Sequence, residues 1–85
     1  MFLVTMILEA ALGAILGKIG AALCATIAAF AGGYAISKIA KTTMESIARQ
    51  PESASSMRSS LIIAAGMIEG ATLFAIIVCF LTLVL

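Results

Sequence analysis

Apolar residues run almost unbroken from Met1 to about Ile39 and again from Leu61 to Leu85. One polar stretch, Ser37 to Ser60 ("SKIAKTTMESIARQPESASSMRSS"), separates them. Each apolar run exceeds the roughly 20 residues that carry a helix across a bilayer. Hydrocarbon offers no partner to backbone polar groups, so both runs are predicted to be helical. Pro51 locates the turn between them, because proline steers the preceding residue, Gln50, out of the helical region and itself suits the first turn of a new helix. Glu52 follows as a first-turn acid that complements the dipole of that helix. The pattern predicts an all-α membrane hairpin. Helix 1 covers about 5–48 with an N-terminal extension over about 1–17, a turn covers about 49–53, and helix 2 covers about 54–84.

Small residues refine this picture. Gly13, Gly17, Ala21, Ala25, Ala28, Gly32 and Ala35 recur at spacings of three or four, which lets membrane helices approach closely. From Ala29 to Ser37 every second residue is small: Ala29, Ala31, Gly33, Ala35 and Ser37. Alternate positions lie on both flanks of a helix, so helix 1 is built to pack on two sides at once. That is natural for hairpins standing side by side in a closed ring. The extension over 1–17 is surplus to one span and, continued straight, would overshoot helix 2 by about 25 Å. It is expected to bend along the outer surface or to fill space within an assembly.

Composition sets the class. A soluble fold of 85 residues would bury only about 60–65% of its chain surface and would need a polar exterior. With 64% hydrophobic and 11% charged residues, this chain has too few polar residues to build one. A net charge of +1 gives no handle for nucleic acid. There is no His and no Asp, which removes the usual metal clusters and the Ser/His/Asp nucleophilic site, and no phosphate-binding glycine loop is present. No metal, no cofactor and no catalysis within this single chain are expected. Cys24 and Cys79, both within apolar runs, read as small buried hydrophobes rather than as a disulfide or ligand pair. The N-terminus lacks a basic segment and carries Glu9 in its apolar run, which argues against a cleaved signal. Lys38, Lys41, Arg49 and Arg58 flank or occupy the turn while only Lys18 lies toward the other end, so the turn is expected in the cytoplasm and both termini outside.

One residue breaks the pattern. Between Leu61 and Leu85 the only side chain that ordinarily carries a charge near neutral pH is Glu69. A carboxylate at the bilayer centre costs at least about 2.5 kcal/mol. No cation lies at its depth on helix 1, where Ala31 to Tyr34 are expected opposite, so a resident ion pair is not the explanation. Hydrocarbon penalises the charged form of a carboxyl and leaves a neutral acid, which releases its proton when water or a cation arrives. Intramembrane acids of this kind mark proton relays. Gly70 and the small residues near Gly33 leave room for the carboxyl to fold inward onto a backbone carbonyl.

The segment "ARQPE", residues 48–52, followed by a Glu twenty positions after its Arg, resembles the c subunit of F-type ATP synthase. The family's cytoplasmic Arg-Gln-Pro turn is matched by Arg49, Gln50 and Pro51, its ion-carrying carboxylate by Glu69, and its acidic residue before the turn by Glu45. The resemblance implies a ring of identical copies in the membrane lipid, with the turn docked on the central stalk. It implies that this ring rotates against a static partner, the synthase's a subunit, whose arginine faces Glu69. It also implies a non-catalytic component of a proton-transporting complex and, with no transit peptide in view, a bacterial inner membrane. Two departures bear on details. The alternating glycines of the family's helix 1 are here mostly alanine (Ala29, Ala31, Gly33, Ala35). Family members that carry Na⁺ have side-chain oxygens at the positions of Ile36 and Gly70, which supply none here. Protons are therefore the expected ion, with Gly33, Ile36 and Gly70 around the site. The alternatives are a Na⁺-carrying ring, to which Thr72 would lend an oxygen, and a pore-forming or purely structural hairpin.

Overall fold

In the computed structural model, which describes all 85 residues, the chain is two antiparallel helices and one tight turn. Helix α1 spans Phe2–Arg49, a single 3₁₀ turn spans Pro51–Ser53, and α2 spans Ala54–Val84. The molecule is a thin slab with principal extents of 75 × 18 × 6 Å. Both helices are long and apolar enough to cross a membrane.

The turn forms as the proline chemistry demands. Gln50 adopts φ −132°, ψ 73°, outside the helical region, while its N–H still donates to the Ser46 carbonyl at 2.8 Å and closes α1. The Ser53 N–H donates to the Gln50 carbonyl at 3.0 Å, so Pro51, which lacks a donor, occupies a position that requires none.

Two contacts fix the register of the hairpin. Thr72 packs on Gly32, and Cys24 is joined to Cys79 by a disulfide with the Cα atoms 5.9 Å apart. This corrects the reading of the cysteines as independent small hydrophobes. The two residues are 55 positions apart in sequence yet lie about equally far from the turn, so antiparallel pairing sets them opposite each other at bonding distance. By the same register Val84 stands level with about residue 19, and residues 2–18 continue α1 in line for some 25 Å beyond the end of α2. The extension neither bends nor folds back.

A single hairpin has almost no interior. Only Ala21, Gly32 and Cys79 are buried, whereas Phe2, Phe30, Ile63, Met67, Phe74 and most other large apolar side chains are exposed. Hydroxyls are satisfied locally instead: Thr26 donates to the Ala22 carbonyl at 2.8 Å, Ser37 to Tyr34 at 2.8 Å, Thr43 to Ile39 at 2.7 Å and Thr82 to Cys79 at 2.6 Å. Back-bonding of this kind keeps polar side chains tolerable in hydrocarbon.

Candidate functional site

Glu69 is the middle residue of α2, about 22 Å along the axis from either end of the helix. Ile68, Thr72, Ile76 and Cys79, spaced by three or four, form the row of α2 that meets α1, and all four are buried or half-buried. Glu69 stands one step off this row, on an exposed flank. None of the six side-chain hydrogen bonds in the chain involves it. The carboxyl is thus presented beside the helix pair at the middle of α2, open to whatever packs against that flank.

The Gly32–Thr72 and Cys24–Cys79 contacts put Tyr34 and Ala35 level with Glu69, slightly nearer the turn than the Ala31 to Tyr34 expected from counting residues. Neither is cationic. Lys38, one turn further toward the hairpin turn, holds its Nζ 5.5 Å from the centre of the Tyr34 ring.

The residues expected around the site divide by face. Ile36 is half-buried on the side of α1 that meets α2. Gly33 and Gly70 are exposed, and a Cβ at either would meet nothing within 4 Å. Gly70 follows Glu69 by about 100° of helical rotation, which turns it away from α1. On α1 the same geometry sets Ala29 and Gly33 on one flank of the buried Gly32 row and Ala31 and Ala35 on the other. Ala29, Ala31 and Gly33 are exposed or nearly so on these flanks and Ala35 is half-buried, so α1 carries an uncovered small-residue strip on each side of α2. No group of three or more His, Cys, Asp or Glu side chains is arranged to hold a metal.

At the apex, Arg49, Gln50, Pro51 and Glu52 are all exposed. The Arg49 guanidinium reaches back to the Ser46 hydroxyl at 3.4 Å. Two features are not visible in the sequence. Pairing of the cysteines depends on register, which neither apolar run announces by itself. A groove of about 360 Å³ on α1, lined by Tyr34, Ser37, Lys38, Lys41, Thr42 and Glu45, shows in sequence only as two of the cations near the turn.

Residues 19–82 match the family model of the ATP synthase c subunit. The chain is 52% identical over 83 residues to the ATP synthase c subunit of Phocaeicola vulgatus, a match covering 98% of this chain and 99% of the relative. It is 46% identical over 85 residues to that of Bacteroides fragilis, covering all of both chains. Over 80 residues it is 44% identical to that of Bacteroides thetaiotaomicron, covering 93% and 94%. The full-length match to the Bacteroides fragilis chain means that this relative also carries a counterpart of residues 1–17.

Proposed function

The chain belongs to the c-subunit family of ATP synthase, and from that membership we propose that it is the rotor-ring component of an F-type ATP synthase, with Glu69 as its proton carrier. The observation that carries this reading is the lone carboxyl at the middle of α2, exposed on a flank and bonded to nothing in its own chain.

Copies pack through the small-residue flanks of α1 (Ala29, Ala31, Gly33, Ala35), with the inner helices touching on both sides. Each Glu69 rides neutral through lipid and gives up its proton where the arginine of the static a subunit, together with an aqueous path, reaches it. Reprotonation from the other side lets the site re-enter lipid, and the ring advances by one copy. A unit charge falling through 100 mV yields about 2.3 kcal/mol, so several steps accumulate for each ATP made. The turn residues Arg49, Gln50 and Pro51 face the cytoplasm and seat the central stalk, and both termini lie outside. The chain is an integral protein of a bacterial inner membrane and catalyses nothing alone.

Protons are the better cargo than Na⁺. A dehydrated Na⁺ needs several oxygens, and neither Ile36 nor Gly70 has one in its side chain. The side chain of Thr72, the remaining source, is seated against Gly32. The test is Glu69→Gln in the reconstituted complex. Proton pumping driven by ATP hydrolysis is expected to vanish while the ring still assembles, and pumping that persists would remove Glu69 from the mechanism.

A further inference from the structure

Residues 2–18 of α1 have no partner in their own chain. The register sets Val84 level with about residue 19, so α2 ends before it reaches them. The apolar run of α2, Leu61 to Leu85, is about 36 Å long and by itself exceeds the roughly 30 Å of hydrocarbon in a bilayer. The continuation of α1 past its end therefore emerges into water. Phe2, Leu3, Ile7, Leu12 and Leu16 are each more than half exposed there. Glu9 is the one charged side chain among residues 2–17. A contiguous apolar surface of this extent marks an interaction site. The stretch matched by the c-subunit family model begins at residue 19, so the features common to the family do not account for this segment.

The two flanks of the helix indicate what covers it. Helix α1 is continuous, so the flanks that carry Gly33 on one side and Ala31 on the other run on into residues 2–18. Rotation is counted here from the row Ala21, Ala25, Ala28 and Gly32, which faces α2. Val4, Ala11 and Ile15 lie roughly 70–110° to one side of it, the flank of Gly33. Met6, Gly13 and Gly17 lie roughly 50–90° to the other, the flank of Ala31. A Cβ at Gly13 or Gly17 would meet nothing within 4 Å. Near residue 15 one flank is thus a ridge and the other a hollow. In a ring the copies stand parallel at one level, and one flank of each meets the opposite flank of the next. Ile15 is midway in height between Gly13 and Gly17, where a knob enters the hole facing it. Glu9 lies further round, toward the face turned away from α2, so this contact does not bury its carboxylate.

We propose that residues 2–18 bind the neighbouring copy, closing outside the bilayer into a collar of parallel helices in which Ile15 of each copy seats between Gly13 and Gly17 of the next. A second copy is the occupant because the collar prolongs, without a break, the flank-to-flank contact of Ala29, Ala31, Gly33 and Ala35. Lipid or an unrelated protein would cover the apolar surface without matching ridge to hollow at one level. The collar rests on the ring reading above and adds an assembly contact that proton transfer at Glu69 does not use.

Paired cysteines test it. I15C/G17C puts one thiol on each flank, about 160° apart around the helix, where only neighbouring copies bring them together. Cys24 and Cys79 are joined to each other, so the introduced thiols are the free ones. Mild oxidation of the full-length ring in phospholipid nanodiscs is expected to give a ladder of covalent multimers on a denaturing gel. I15C alone, G17C alone and I7C/A14C, whose positions face the side of α2, should give none. Particle size on the same samples reports ring assembly separately. A ring of normal size without the ladder overturns the collar and leaves the rotor reading standing, whereas an unaltered chain that forms no ring contradicts both. If I15C/G17C does not assemble, amide exchange in the unaltered ring decides. Residues 4–17 are expected to exchange about a hundredfold or more slowly than an uncovered, fraying helix end. Unprotected amides there in an intact ring overturn the proposal. Protection together with an assembled I15C/G17C ring that gives no ladder assigns the cover to lipid and overturns it as well.

Discussion

Thr72 of α2 sits directly on Gly32 of α1. A Cβ added to Gly32 would come within 2.9 Å of Thr72 Cγ2 and 3.1 Å of its Cβ, and would also meet Oγ1. This close approach brings the helix backbones together at nearly the depth of Glu69, with the carboxyl left just outside the seam.

Gly32→Val is therefore expected to destabilise the hairpin by about 1–3 kcal/mol, the usual cost of forcing bulk into a filled contact. Thermal unfolding in detergent micelles measures it. Adding Thr72→Ser removes the Cγ2 methyl and should recover part of the loss, as a double-mutant cycle would register. No coupling between the two positions would mean that the contact does not set the helix spacing.

Gly33, the next residue, is expected to behave in the opposite way. A Cβ there meets nothing within the hairpin. Gly33→Leu should leave the unfolding temperature of the isolated hairpin nearly unchanged but prevent closure of the ring, because the flank it enlarges is the one offered to the neighbouring copy. Size analysis of the purified assembly distinguishes the two effects. An intact ring from this variant would place the copy–copy contact elsewhere.

The disulfide gives a chemical prediction. Without reductant, a maleimide should add to neither cysteine of the denatured chain, and after reduction it should add to both, visible as two mass increments. Serine at both positions is expected to cost up to about 2–4 kcal/mol, the range for removing a cross-link. Two free thiols in protein handled under oxidising conditions would contradict the pairing.

The apex is exposed and contributes little to the hairpin itself. Gln50→Ala or Arg49→Ala should thus leave the ring intact while weakening its attachment to the stalk, so that ATP hydrolysis continues and drives less proton pumping. Measuring both rates on one preparation tests this. Equal loss of both, or of neither, would count against a docking role for the turn.

Legibility in the sequence follows how local each signal is. The hairpin is readable because two apolar runs and one proline decide it residue by residue. Glu69 stands out because a single acid in a largely apolar run of 25 residues has no ordinary reason to be there. Gly32 and Gly33 are indistinguishable as letters, and only the rotation of α1 relative to α2 makes one a contact and the other an open flank. Cys24 and Cys79 each look like an ordinary small apolar residue, and their bond exists only because the turn sets them opposite one another. Lys38 and Lys41 serve as orientation signals in the sequence. Their meeting with Tyr34 and Thr42 in one groove needs the helix in three dimensions. The straight course of residues 2–18 is not legible either, because nothing in the sequence requires an apolar helix to continue past its partner, and α1 continues nonetheless.

Every functional step rests on Glu69 taking up and releasing a proton within the membrane. Carbodiimide labelling of the purified protein in detergent, followed across pH with and without Na⁺, tests this, because these reagents attack protonated carboxyls in apolar surroundings. Modification confined to Glu69, falling as pH rises and indifferent to Na⁺, is the result expected of a proton carrier. Protection by Na⁺ would reverse the choice of ion. A Glu69 that resists labelling at every pH would contradict proton carriage outright.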